Sequence, residues 1–166
     1  TATSGGGGGM VALVGAEEPQ AQGICDAARV PDVLVCANFN ALGQIVLSGH
    51  KSACERAAAI AGDQGFKSAI LPVAGAFHSP LMAPAARRLE TALAKATFKD
   101  PRCPVYSNVT AEPHAPAGGA SLADTIRRRL VEQLTSPVRW AQSCATMAKA
   151  CQGSYVELAP NKVLAG

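Results

Sequence analysis

Gly75-Ala76-Phe77-His78-Ser79-Pro80-Leu81-Met82 places a histidine in a turn between an expected strand end and a helix start. Loops at such junctions are where α/β folds expose functional side chains, and an imidazole there can take and return a proton near neutrality. Taken alone, the residue reads first as an ordinary turn histidine. His50, at an expected helix start, and His114, in a Pro-rich loop, keep that ordinary reading. A nucleophile to accompany His78 is not evident, because no Gly-x-Ser-x-Gly occurs in the sequence. Ser48 and Ser79 do not stand on such an elbow. Six cysteines (Cys25, Cys36, Cys54, Cys103, Cys144 and Cys151) form no Cys-x-x-Cys pair, and no histidine sits beside them at ligand spacing. Several occupy apolar positions, where a reduced cysteine behaves as a small hydrophobe. The expectation is a reducing compartment and no metal.

The elements that must position His78 follow from apolar periodicity. The chain has 166 residues, 48% hydrophobic and only 16% charged, with a net charge of +3. That charge is too small to bind nucleic acid by itself, and no apolar run reaches the roughly 18 residues of a membrane span. Basic residues gather at Arg87-Arg88 and Arg127-Arg128-Arg129, read as solvated helix faces or as a landing surface for an acidic partner. Residues 1–9, ending in five glycines, read as a flexible lead-in. Strands are expected at 10–14, 33–38, 44–48 and 69–73. Helices are expected at 17–28 and from Ser48-Gly49 to Gln64, with Ala53, Ala57, Ile60 and Ala61 on one face. Strand, helix, strand, strand, helix, strand is the ferredoxin-like order, which assigns 10–73 to a small α+β subdomain. Beyond it, helices are expected at 84–97, 122–134 and 137–151, with strands at 105–109 and 154–158. Two strands and three helices cannot close an α/β layer, so 74–166 reads as part of a larger subdomain.

Five segments carry a resemblance: ANFNALGQIVLSG at 37–49, LPVAGAFHSPLMAPAARRL at 71–89, PVYSNVTAEP at 104–113, QLTSPVRW at 133–140 and ELAPNKVLAG at 157–166. In this order and spacing the chain resembles the C-terminal portion of malonyl-CoA:acyl carrier protein transacylases. The resemblance implies an α/β acyltransferase in which the ferredoxin-like insertion sits on an α/β-hydrolase-like large subdomain. It implies malonyl transfer from coenzyme A, through a serine ester, to the phosphopantetheine thiol of acyl carrier protein in fatty-acid biosynthesis, with no cofactor.

His78 matches the family's general base, and the backbone carbonyl of Gln133 matches the acceptor that orients it, the Gln133 side chain having no required part. Phe77 would exclude a methyl branch on the acyl group, while Asn38, Asn40 and Gln44 would line the acyl cleft. The family's serine, malonate-binding arginine and oxyanion-hole glutamine have no match and are expected upstream of residue 1, so the chain alone is expected to be inactive. Ala159-Pro160-Asn161 stands where the family has Gly-Pro-Gly; an asparagine tolerates the positive φ that turn needs. The expected partners are malonyl-CoA and acyl carrier protein, without nucleic acid or membrane, for a protein that is monomeric when complete. Cytoplasm, plastid stroma and mitochondrial matrix all fit. Two other readings remain open: an acyltransferase domain of a polyketide or multifunctional fatty-acid synthase, and a non-catalytic remnant that binds acyl carrier protein.

Overall fold

Alternating apolar residues and two helices faced with small side chains build the first half of the protein. The computed structural model describes residues 7–158. In order come β1 (Gly8–Val14), α1 (Glu18–Ala28), β2 (Leu34–Ala41), β3 (Gln44–His50), α2 (Lys51–Asp63) and β4 (Lys67–Ile70). The strands lie in the order β2-β3-β1-β4 with every neighbouring pair antiparallel. This is the ferredoxin-like arrangement expected from the element order.

α1 starts at a capping box, in which Gln20 Oε1 accepts from the Glu17 N–H at 2.9 Å. It buries Ala21, Ile24, Cys25 and Ala28, spaced as one helical face, and α2 buries Ala53, Cys54, Ala57 and Ala61. Small residues let both helices sit close on the sheet. There they enclose Val11, Leu13, Leu34, Cys36, Phe39, Ile45 and Leu47. Met10, Ala37 and Val46 form a second apolar layer on the opposite sheet face, covered by Leu71 and Val73. A bulge in β2 lies between these two layers. Cys36 pairs with Leu47 and Asn38 with Val46, so Ala37 is the extra residue and Asn38 joins the Val46 face.

Polar contacts fix the α1–β2 loop. Arg56 of α2 donates to the Ala28 carbonyl at the end of α1 (2.9 Å) and to Asp32 (2.8 Å). Ser52 also donates to Asp32 (2.7 Å), and the Val33 N–H donates to His50 Nδ1 (2.9 Å). His50 thus serves the loop, in line with its ordinary reading.

The second half packs α3 (Ala83–Leu93) against α4 (Leu122–Glu132), and α5 (Trp140–Ala150) against β2. Arg127 of α4 donates to the Leu93 carbonyl at the end of α3 (3.2 Å) and lies 4.9 Å from the centre of the Phe98 ring. One member of the basic cluster therefore caps a helix instead of facing a partner.

Several boundaries differ from the expected ones, each for a local reason. Gly8 and Gly9 are not lead-in but the first residues of β1, paired with His50 and Gly49. Backbone hydrogen bonds to β3 replace the side-chain burial they cannot provide. The pairing of β3 through His50 delays α2 to Lys51, whose N–H takes the Gly7 carbonyl at 2.9 Å. β4 ends at Ile70 because Pro72 has no N–H to continue the ladder.

The strand expected at 105–109 is a tight loop. Tyr106 bridges only Pro113, Ser107 N–H bonds to Glu112 O and His114 N–H to Val105 O. The strand expected at 154–158 does not form, and Tyr155, Val156 and Leu158 are 61%, 74% and 95% exposed. Both segments lack a neighbouring strand among the described residues, and apolar alternation without a ladder partner does not hold an extended chain. Residues 74–158 consequently contribute helices and isolated bridges but no sheet. The turn expected at Ala159-Pro160-Asn161 lies outside the described residues.

Candidate functional site

The chain leaves β4 through Leu71, whose N–H bonds to the Met10 carbonyl at 2.9 Å, and turns at residues 74–79. Ser79 is fully buried and closes that turn. Its hydroxyl donates to the Ala76 carbonyl (2.7 Å) and accepts from the Leu81 N–H (3.3 Å), capping the 3₁₀ turn Pro80–Met82 that leads into α3. A hydroxyl so engaged is not a free nucleophile. Ser48 is also fully buried, in β3, with no hydrogen-bond partner for its Oγ.

His78 sits at the apex with φ 58°, the left-handed region that non-glycine residues enter sparingly. That conformation turns its ring toward the end of α4. Its Nδ1 lies 2.9 Å from the Gln133 carbonyl oxygen. A carbonyl only accepts, so Nδ1 carries the hydrogen and Nε2 keeps its lone pair. Nε2 is then the ring atom available to take a proton from a neighbour.

Gln133 caps the C-terminus of α4, where the last carbonyls have no helical partner. Its side chain, without any required part in the expectation, folds back. Nε2 donates to the Ser136 carbonyl at 3.0 Å, is 3.5 Å from the Pro137 carbonyl, and comes within 3.4 Å of His78 Nδ1. Val138 follows immediately. Its N–H donates to Ala37 O (2.8 Å) and its carbonyl accepts from Phe39 N–H (2.9 Å), forming a parallel bridge opposite Asn38. These bonds delay α5 from the expected Pro137 to Trp140.

Of the remaining expected residues, Phe77 is 41% exposed, and its ring lies over Gly75. Asn38 is partly buried on the Val46 face of the sheet, and its Oδ1 is buried without a hydrogen-bond partner. Asn40 and Gln44 are exposed beside the β2–β3 turn. None of the three bonds to His78 or Gln133. A pocket of about 270 Å³ lies behind that turn, lined by Pro19, Phe39, Ala41, Leu42, Ile45 and Ala141 among others. Among the described residues no group of three or more His, Cys, Asp or Glu could hold a metal ion. No helix there is long and apolar enough to cross a membrane.

The sequence reading missed the Gln133 amide and the Val138 bridge. A main-chain bridge between residues 100 positions apart leaves no residue-type signature. Pro137 gave no warning either, because a proline suits the first turn of a helix.

Residues 2–166 match the family model described as the acyl transferase domain. The chain is 39% identical over 160 residues to the malonyl CoA-acyl carrier protein transacylase of Escherichia coli (strain K12), covering 96% of this chain and 50% of that protein. It superposes on the crystal structure of malonyl CoA-acyl carrier protein transacylase from Clostridium perfringens with a TM-score of 0.90 at 30% identity, covering 99% of this chain and 50% of that one. A malonyl-transacylase in complex with a type II polyketide acyl carrier protein gives a TM-score of 0.90 at 31% identity, covering 99% and 52%. The chain spans about half the length of these relatives.

Proposed function

The chain belongs to the acyl transferase domain family, and on that premise we propose that the protein it forms transfers a malonyl group from coenzyme A to the phosphopantetheine thiol of an acyl carrier protein. The observation that carries this reading is the 2.9 Å contact between His78 Nδ1 and the Gln133 carbonyl, which leaves Nε2 as a base. In the proposed reaction Nε2 takes the proton of a serine hydroxyl as its oxygen attacks the thioester carbonyl carbon. The carbon–sulfur bond breaks, and the departing coenzyme A thiolate takes that proton from the imidazolium. Acyl transfer to the carrier retraces these steps: Nε2 removes the carrier thiol proton, the sulfur attacks the serine ester, and the serine recovers a proton. Gln133 keeps the ring in the productive tautomer throughout, and the chemistry calls on no cofactor beyond the thioester itself.

Phe77 lies one residue from the base and sets the room left at the acyl α-carbon. Asn38, with a buried free acceptor, is the better placed of the three proposed cleft residues. Asn40 and Gln44 act at the rim. We place the nucleophilic serine outside residues 1–166, because no Gly-x-Ser-x-Gly elbow occurs within them. We assign the complete protein to fatty-acid biosynthesis as a monomer in a reducing compartment, with no nucleic-acid or membrane partner. The polyketide relative favours one alternative, an acyltransferase of a polyketide synthase. Ketosynthase or carrier sequence flanking this segment in the gene would decide for it.

The test is turnover of malonyl-CoA with holo acyl carrier protein. The purified 166-residue chain is expected to transfer nothing, and the complete protein to transfer malonyl. Transfer by the 166-residue chain alone, or none by the complete protein, overturns the reading.

A further inference from the structure

We propose that the Gln133 side chain and the Val138 main chain form a positioning clamp that holds the Gln133 carbonyl against His78 and so selects the tautomer of His78. This deepens the reading of His78 as a base and rests on it for its catalytic meaning. The clamp itself is a property of this chain.

Two groups of the same residue compete for one ring nitrogen. The Gln133 carbonyl stands 2.9 Å from Nδ1, and its amide nitrogen 3.4 Å. The carbonyl favours a hydrogen on Nδ1; an amide N–H donating to Nδ1 favours the opposite tautomer, with the hydrogen on Nε2. Only the first leaves Nε2 able to accept a proton. The amide carries two N–H donors; the Ser136 carbonyl takes one at 3.0 Å, and the Pro137 carbonyl, 3.5 Å from the same nitrogen, offers the other a main-chain acceptor besides Nδ1. The Ser136 bond closes residues 133–136 into a turn and keeps the Gln133 carbonyl aimed outward from the helix end.

A turn closed only on itself could still swing about the end of α4. Its near side is tightened by Leu134 N–H to Val131 O (3.2 Å) and Thr135 N–H to Glu132 O (3.1 Å). Its far side is fixed by the two Val138 bonds to Ala37 and Phe39, and then by Arg139 N–H to Asn108 O (2.9 Å). The orienting carbonyl is therefore held between a helix of the second half and the edge strand of the first. Gln133 and Val138 are positioning residues that act through His78.

Imidazole ¹⁵N NMR on the full 166-residue chain tests this without any need for activity. Wild-type His78 is expected to show a protonated Nδ1 and an unprotonated Nε2 when neutral. Gln133→Met keeps the side-chain bulk but removes the donor, and Gln133→Ala removes both. Both variants also remove the competing amide, but the loss of the Ser136 bond that aims the carbonyl outweighs it, so the ratio of the Nδ1–H to the Nε2–H form at His78 is expected to fall about 3- to 10-fold. His50 is an internal control: its Nδ1 accepts from Val33 N–H, so unchanged His50 signals report a folded variant. Val138→Ala, which keeps both backbone bonds, is expected to leave His78 as in wild type. An unchanged or raised Nδ1–H to Nε2–H ratio at His78 in either folded Gln133 variant overturns the proposal. A tautomer shift in a complete protein that lacks transacylase activity would leave the clamp standing and overturn only the reading of function.

Discussion

At φ 58° the His78 backbone occupies a conformation that asparagine also tolerates. His78→Asn is therefore expected to fold with a urea midpoint close to wild type. The complete protein carrying it should lose about 10²- to 10⁴-fold in kcat, the usual worth of a general base. A large loss of stability, or near-normal turnover, would contradict the assignment. Phe77 allows a separate test, because a ring 41% exposed and resting on Gly75 contributes little to the core. Phe77→Ser should alter stability by less than about 1.5 kcal/mol and raise the preference for methylmalonyl over malonyl by about 10- to 200-fold. Competing both thioesters in one assay reads that ratio directly. His78 was visible in the sequence only as a turn residue, and the motif order around it supplied the expectation of a base. The folding-back of the Gln133 amide was invisible, since it depends on where the Ser136 carbonyl points.

Among the elements, the end of β3 and the start of β2 make the tightest backbone approach at any glycine of the small subdomain. A Cβ added at Gly49 would lie 2.0 Å from the Val33 carbonyl oxygen and 2.8 Å from Leu34 Cα. Neither backbone atom can yield, so Gly49→Ala is expected to cost at least about 3 kcal/mol in urea unfolding. Gly23 offers the converse. It lies in the interior of α1 with nothing within 4 Å of the added atom, and Gly23→Ala should stabilise by about 0.5–1 kcal/mol. The βαββαβ order was legible because each strand and helix has a clear apolar period and a stop signal such as Gly65. The strands expected at 105–109 and 154–158 were not, because their apolar residues carry no information about whether a partner strand is beside them. Gly8 and Gly9 failed in the opposite sense: pairing with β3 ordered residues that composition marks as mobile.

For the whole molecule, the ionisable groups set two pH limits on folding. His114 is held below its ordinary pKa of 6.5 by desolvation and then by Arg129. Asp32 is lowered by hydrogen bonds from Ser52 and Arg56, and Asp124 by those from Ser121 and Arg127. Each lowered group binds its proton more readily in the unfolded chain, so its contribution is complete above the ordinary value and is lost as pH falls through the folded one. On the alkaline side, burial pushes Cys54 from 9.0 up to about 11, so the unfolded chain gives up that proton first and stability declines above about pH 9. The urea midpoint is expected to be greatest between about pH 6.5 and 9, and His114→Gln should flatten the first part of the acid limb. A midpoint that rises on acidification below 6.5 would contradict these assignments.

The Val138 bridge has one further consequence, for colloidal behaviour. β2 is an outer strand, and a strand with unpaired N–H and C=O groups along one side is a template for another copy of itself. Val138 occupies the Ala37 carbonyl and the Phe39 N–H, in the middle of that side. The segment that aims the Gln133 carbonyl is thus also a stopper on the sheet. Loosening it would expose sticky backbone at the same moment as it misaligns His78, so variants of the 133–138 turn should cloud on concentration before they unfold.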